Sequence, residues 1–188
     1  MTGKGESQSG SCAGIEIIPM GSVYVPQVES VAHALRLCLG CTVSIVHPIG
    51  LPEGAYRANR GQYDASMILD AARPSVGKRG WKRLVISNRD LFAAGLNFVF
   101  GQADLSGAVA VISLVRLANT FYGLPQDDNL FIERGVKEAV HEIGHTLGLV
   151  HCKVPCVMYF SNSLTDTDRK SAAFCADCRA RLAAKEKK

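Results

Sequence analysis

The segment from His141 to His151, His-Glu-Ile-Gly-His-Thr-Leu-Gly-Leu-Val-His, constrains the fold more than any other part of the chain. His141 and His145 are four residues apart, so on a helix their rings project from the same face, one turn apart. Gly148 can adopt the left-handed conformation that ends a helix and reverses the chain, which brings His151 back to the same point. The spacing therefore predicts a helix from about Leu130 to Gly148 with three imidazoles gathered near its end.

This grouping predicts a catalytic metal site. Zinc bound by three neutral imidazoles keeps one tetrahedral position open for water, which distinguishes a catalytic site from a closed structural one. Glu142 is the carboxylate beside these ligands and is placed to take a proton from that water. A bare His-Glu-x-x-His also occurs in unrelated helices as two solvated histidines. Gly148 and His151 complete a longer motif, which this alternative does not explain.

A second group of metal ligands follows immediately. Three residues separate Cys152 from Cys156, two separate Cys175 from Cys178, and eighteen lie between the two pairs. Four thiolates at such spacings can enclose a zinc ion and leave no open position, as in a structural site. The alternatives are two disulfides, four buried thiols, or Cys152 as a catalytic ligand in place of His151. Seven ligands divide most simply into one open and one closed site, which predicts two zinc ions per chain.

These residues resemble those of a known family. The extended histidine motif followed by a methionine is the metzincin signature, and the added cysteines are similar to those of the archaemetzincins, a family of zinc metallopeptidases. The resemblance covers roughly residues 130 to 180. It implies that Glu142 is the general base and that Met158 forms a turn beneath the zinc. It also implies that the catalytic zinc ligands are His141, His145 and His151. The residues that match the family's second zinc site are Cys152, Cys156, Cys175 and Cys178.

Length and composition predict one domain. With 188 residues, 47% of them hydrophobic, the chain can bury one core but hardly two. We expect a tail at 1–11, an N-terminal subdomain at 12–148 with the active-site helix, and a C-terminal subdomain at 149–188 with the methionine turn and the cysteines. No apolar run approaches the roughly 20 residues that cross a bilayer. Since no secretory signal is visible in the first 12 residues, we expect a reducing, cytoplasmic location.

Neither the net charge nor the remaining cysteines predict a further functional site. The formal net charge of +4 is partly concentrated in Arg179 to Lys188, which is typical of a solvated helix end rather than a nucleic-acid surface. Cys38 and Cys41 have redox spacing but are predicted to be core cysteines, and Cys12 an incidental thiol. We therefore expect a peptide or protein substrate, no membrane association, no nucleic-acid partner and a monomer.

Strand and helix patterns alternate before the metal ligands, which predicts the α/β class. The predicted strands are Gly14–Met20, Cys41–His47 and Leu84–Ser87, and the predicted helices are Val28–Leu39 and Tyr63–Ala72. This order implies a twisted, mostly parallel sheet. Phe98–Ala103 and Val109–Leu114 predict a hairpin. The family resemblance implies an edge strand above the active-site helix that can pair with an extended peptide, and we assign it to Phe98–Ala103. A last helix from about Asp166 is expected to carry Cys175 and Cys178.

The sequence thus predicts a zinc-dependent metallopeptidase that cuts peptide bonds with zinc-activated water and Glu142 as base. Two alternatives stay open. One is hydrolysis of a small amide by the same groups, and the other is a non-catalytic two-zinc module that binds peptides or nucleic acid. Glu142 argues against the module, because a purely structural three-histidine site requires no carboxylate at that position. No motif distinguishes exopeptidase from endopeptidase action.

Overall fold

The structure, a computed structural model, describes residues 12–73 and 78–185, so the predicted tail at 1–11 lies outside the described residues. In chain order the strands are β1 Gly14–Met20, β2 Thr42–Ile45, β3 Tyr56–Arg57, β4 Gln62–Asp64, β5 Trp81–Ser87, β6 Leu91–Phe92, β7 Gly101–Ala103 and β8 Val109–Ser113. The α-helices are α1 Val25–Leu39, α2 Ala65–Ala72, α3 Asp128–Thr146, α4 Leu164–Arg169 and α5 Ala176–Lys185. No helix in the described part of the chain is long and apolar enough to cross a membrane.

Five strands form the main sheet in the order β2-β1-β5-β8-β7. The strand β1 pairs in parallel with β2 and β5, β5 pairs in parallel with β8, and β7 pairs antiparallel with β8. The predicted mostly parallel sheet with an antiparallel edge strand is therefore confirmed. A smaller sheet, β3-β4-β6, was not predicted, because strands of two or three residues are too short to show a period.

Helices cover both faces of the main sheet, and the strands supply apolar side chains to each. Because successive side chains of a strand point to opposite faces, Leu84 and Ile86 of β5 pack with α1 and α3, whereas Val85 packs with α2. The five residues of β8 are all buried. Burial on both faces explains the continuous apolar runs of these central strands and places α3 firmly against the sheet.

Helix α3 carries the histidine motif along the side of the sheet formed by β7 and β8. Its first turn is capped by Asp127, whose carboxylate accepts a hydrogen bond from the Leu130 N–H at 2.9 Å. The helix ends at Thr146, and Gly148 takes a φ of +83°, the left-handed conformation expected there. The Leu149 N–H then donates to the Gly144 carbonyl at 3.0 Å, which turns the chain back across the end of the helix.

The single last helix predicted from about Asp166 is wrong. Helix α4 ends at Arg169, Lys170 takes an extended conformation, and α5 begins only at Ala176, so Cys175 precedes the helix that contains Cys178. The physical reason is the side chain of Lys170. Its ammonium is drawn inward to the buried carboxylate of Glu138 at 2.9 Å, which leads the chain away from the helical path.

Other elements keep their predicted type but change their bounds. Helix α1 begins at Val25 rather than Val28, because Pro26 fits the first turn of a helix. Helix α2 begins after Asp64, whose side chain caps it by accepting from the Ser66 N–H at 3.0 Å. The predicted edge strand Phe98–Ala103 shortens to β7, where Gly101 to Ala103 form the ladder with β8.

Candidate metal centres and active-site cleft

The structure brings the three predicted histidines together. Ligand nitrogens of His141, His145 and His151 all lie within 4.8 Å of one another. The Nε2 atoms of His141 and His145 are 3.1 Å apart. For a Zn–N distance of about 2.1 Å, two corners of a tetrahedron are about 3.4 Å apart. This donor set therefore fits a tetrahedral zinc site with three imidazole ligands.

Backbone carbonyls orient two of these rings. The Nδ1 atom of His141 lies 2.7 Å from the Val157 carbonyl oxygen, and the Nδ1 atom of His145 lies 2.8 Å from the Leu149 carbonyl oxygen. A ring that donates from Nδ1 keeps the lone pair of Nε2 for a metal. Burial lowers the pKa of all three histidines, which favours the neutral form that binds metal.

A glycine allows the turn after the histidines to pass directly beneath the helix. A Cβ atom on Gly144 would lie 2.5 Å from the Met158 sulfur and 3.2 Å from a ring carbon of Phe174. Met158 itself is fully buried. The family resemblance predicted Met158 under the metal site, but the requirement for glycine at 144 was missed, since it depends on a contact with a residue fourteen positions later in the chain.

We expect Gly144→Ala to destabilise the protein by about 1–3 kcal/mol, because the added methyl group overpacks the turn at Met158. In a protein of this size that corresponds to a loss of about 2–12 °C in melting temperature. The matched control is Gly135→Ala in the same helix, where a Cβ atom would meet Leu114 at an ordinary 3.5 Å. Alanine is favoured over glycine inside a helix by about 1 kcal/mol, so this control should melt higher. Equal melting temperatures for the two variants would contradict the packing argument.

Glu142 lies in the wall of a cleft beside the histidines. Its side chain is buried, and burial together with the nearby charge of Glu138 raises its pKa well above the usual range, whereas Lys170 opposes the rise. Strand β7 crosses directly over it: a Cβ atom on Gly101 would lie 2.6 Å from Cγ and 2.7 Å from Oε1 of Glu142. The carboxylate is therefore held between its own helix and the edge strand.

The cleft has a volume of about 410 Å³ and opens over the histidines and Glu142. Most of its walls are apolar, with Phe98 and Phe100 packed edge to face at 5.2 Å between ring centroids. Polar residues in its lining include Glu138 and Glu142 of α3 and Ser161 after Met158. An apolar cleft with a few convergent polar groups is typical of a substrate site, and β7, the last strand of the sheet, forms its rim.

The four predicted cysteines also converge, on a separate point. Their sulfur atoms all lie within 4.8 Å of one another, with 3.8 Å between Cys152 and Cys175 and 3.9 Å between Cys156 and Cys178. A tetrahedron with Zn–S distances of about 2.3 Å has edges of about 3.8 Å, whereas a disulfide needs about 2.05 Å. The spacing fits a closed tetrathiolate zinc site. Hydrogen bonding from the backbone of Cys178 lowers the pKa of Cys175 to about 7, whereas burial raises the pKa of Cys156 and of Cys178.

The segment 151–158 connects the two clusters. His151 groups with the other histidines and Cys152 with the other cysteines, although the two residues are adjacent. The Cys152 N–H donates to the Met158 carbonyl at 2.9 Å, so the chain between them forms a closed loop under α3. This geometry supports one open and one closed site, rather than Cys152 as a ligand of the histidine cluster.

A buried ion pair at the back of the cleft was not predicted. The Lys170 ammonium lies 2.9 Å from Oε1 of Glu138, and the Thr167 hydroxyl donates to the same oxygen at 3.1 Å. Glu138 lies one helical turn before Glu142 and lines the cleft. The four-residue spacing from Glu138 to Glu142 was a visible signal that both face the same side, but nothing in the sequence shows which cation meets Glu138.

Comparisons with known proteins agree at the levels of family, sequence and structure. The family model for peptidase family M54 matches residues 48–184. The archaemetzincin of Thermococcus kodakarensis is 51% identical over 178 residues, which cover 89% of this chain and 94% of the relative. The crystal structure of the archaemetzincin from Methanopyrus kandleri is similar with a TM-score of 0.83 and 38% identity over 95% of this chain and 98% of that one. A zinc-dependent peptidase from Methanocorpusculum labreanum is similar with a TM-score of 0.81 and 34% identity over 90% and 100%, respectively.

Proposed function

Because this chain belongs to peptidase family M54 and is a zinc metallopeptidase, we propose that its three-histidine cluster holds the catalytic zinc and that Glu142 is the general base. One observation carries the proposal: the three ring nitrogens converge beside a buried carboxylate in the wall of an apolar cleft. A purely structural histidine site would leave that buried carboxylate without a purpose at considerable desolvation cost.

The surrounding residues position the groups that would react. When bound, zinc would polarise the scissile carbonyl and activate a water molecule. Glu142 takes a proton from the attacking water and passes it to the leaving amine. Because Gly101 has no side chain, β7 can pass close over the Glu142 carboxylate. The strand thereby limits the movement of the carboxylate. The free side of β7 pairs with the backbone of an extended peptide, and the apolar cleft receives a substrate side chain.

The four cysteines, in this proposal, hold a second zinc that is structural. This zinc would connect the segment around Met158 to the start of α5. Two of its ligands, Cys152 and Cys156, precede Met158, and the other two, Cys175 and Cys178, lie around the start of α5. One hydrophobic cluster contains residues of both predicted subdomains, 12–148 and 149–188, which supports a single domain with a common core. The cytoplasmic location and the monomeric state stay predictions.

Cleavage of a diverse peptide library by the zinc-loaded protein tests the proposed activity. We expect products that mass spectrometry identifies as fragments of a peptide hydrolysed at one bond, and no products after treatment with a strong chelator. The positions of the cleaved bonds also separate aminopeptidase from endopeptidase action. Binding of library peptides without hydrolysis would instead favour the non-catalytic module.

We expect the purified protein to contain two zinc ions per chain, one of which a chelator removes much faster. The three-histidine site keeps an open position, whereas the tetrathiolate site is closed. Metal analysis during a chelator titration measures the content, and a thiol reagent added in parallel reports when the cysteines become reactive. We expect the first zinc to leave without exposing thiols. One zinc per chain under zinc-replete conditions would contradict the division into two sites.

A further inference from the structure

Two cysteines outside both zinc clusters lie side by side where β1 and β2 begin. These strands are parallel neighbours, with Gly14 opposite Thr42. Cys12 lies two residues before β1 and Cys41 one residue before β2, and both side chains pack against the same hydrophobic cluster. The Cys41 thiol donates a hydrogen bond to the Cys12 sulfur. The sequence analysis predicted Cys38 and Cys41 to be core cysteines and Cys12 an incidental thiol, whereas the fold brings Cys12 next to Cys41.

Two neighbours of the Cys12 sulfur favour its thiolate form, Cys41 and the Lys82 ammonium. As a thiol, Cys12 donates a hydrogen bond to the Gly14 carbonyl at 3.1 Å. The Lys82 ammonium is held in place, because it donates to the carbonyls of Gly107 at 2.6 Å and Thr146 at 2.9 Å. The hydrogen bond from Cys41 is the largest of the influences that lower the pKa of Cys12, and a thiolate is the form that attacks disulfides.

We propose that Cys12 and Cys41 are a dithiol site that low-molecular-weight disulfides oxidise reversibly to an intramolecular disulfide. Because Gly14 pairs with Thr42, Cys12 and Cys41 are diagonal neighbours, one position out of register. With strands about 4.8 Å apart and a rise of about 3.3 Å per residue, a diagonal pair has Cα atoms about 6 Å apart, within the range of about 4.4–6.8 Å that a disulfide bridges. The bond would join the chain before β1 to the chain before β2, at the edge of the sheet where β2 is the last strand.

The exchange balances without any further reactant. One cysteine thiolate attacks a sulfur of the small disulfide, forms a mixed disulfide and releases one small thiolate. The second cysteine loses its proton and attacks the sulfur of the first, which displaces the other small thiolate. Two protein thiols and one small disulfide thus give one protein disulfide and two small thiols once the protons are redistributed. Excess small thiol reverses both steps.

Cys38 provides a matched control, because it lies in the same region without the same surroundings. It sits near the end of α1, and Gly40 with a φ of +64° reverses the chain before Cys41. Burial alone raises the pKa of Cys38, whereas the shifts of Cys12 and Cys41 depend on each other. The two cysteines of the Cys-x-x-Cys spacing are therefore chemically unlike, and only Cys41 belongs to the proposed site.

The test uses the full-length, zinc-loaded protein in a series of glutathione buffers, from fully reduced to fully oxidised. Each sample is acidified, alkylated and digested without reduction, and its peptides are identified by mass spectrometry. We expect a cross-linked peptide that joins Cys12 to Cys41 and is lighter than the two thiol peptides by two hydrogens, about 2 Da. It should disappear on return to reduced buffer. Recovery of both cysteines as alkylated thiols across the series would overturn the proposal.

Variants and zinc content exclude other origins of the cross-link. Cys38→Ser should keep the bond between Cys12 and Cys41, whereas Cys41→Ser should lose it and leave Cys12 as a thiol or a glutathione adduct. A cross-link that contains Cys38 in the wild-type protein would overturn the assignment. Zinc measured in the same samples should stay bound while the bond forms. A bond that appears only after zinc is released would also overturn the proposal, since it would report on unfolded chains.

Discussion

Glu142→Gln is expected to lower the rate of peptide hydrolysis by about 10²- to 10⁴-fold, the usual contribution of a general acid-base group. The glutamine amide has nearly the same shape as the carboxylate, so the close contact with Gly101 is retained. It cannot accept the proton of the attacking water. Because Glu142 is not assigned as a zinc ligand, the variant should keep its zinc and still bind substrate.

Zinc content, melting temperature and kcat/KM on one cleaved library peptide measure this effect. The matched control is Glu133→Gln on the same helix, which removes a carboxylate that is 54% exposed and pairs with Lys137 at 2.7 Å. We expect nearly wild-type activity from it. Loss of the histidine-bound zinc in Glu142→Gln would make Glu142 a structural residue. Hydrolysis as fast as wild type would assign the proton transfer to another group, or the activity to a contaminant.

Cys175→Ser is expected to destabilise the whole domain, whereas His151→Ala should mainly abolish activity. Structural zinc contributes an apparent binding free energy of about 10–16 kcal/mol in small modules, comparable with a domain stability of about 5–15 kcal/mol. Because this protein has a larger core than such modules, the loss of stability should be smaller here. The difference arises from position: Cys156 and Cys178 of the thiolate cluster are part of the main core, whereas His151 is exposed at the mouth of the cleft.

Thermal melts of the two variants, with zinc analysis before each melt, decide between these roles. Cys175→Ser should lose the slowly released zinc and melt well below the wild-type protein, and His151→Ala should lose the readily released zinc and melt near it. The control for a cysteine-to-serine change away from zinc is Cys38→Ser, which is expected to keep both ions. If Cys175→Ser melted like wild type, the four-cysteine assignment would be wrong.

Prediction from sequence was strongest where the relevant geometry is local. The histidines are positioned by one helical turn and one reversal at Gly148, and both depend only on neighbouring backbone angles. The alternation of strand and helix patterns along the chain is also visible in the sequence, which is why a mostly parallel sheet was predicted correctly. The last helix was predicted wrongly, because its break at Lys170 depends on an ion pair with Glu138, distant in the chain.

The sequence by itself therefore determined which residues can bind metal, their helix, and the class of sheet beside it. Only the tertiary structure decided what meets those residues: Gly101 over Glu142, Met158 beneath Gly144, and Cys12 beside Cys41. The physical reason is that periodicity and capping act within a few residues, through hydrogen bonds and backbone angles of neighbouring positions. The contact between Gly101 and Glu142 instead depends on how a strand, a helix and the intervening chain pack around a shared core, which no local pattern encodes.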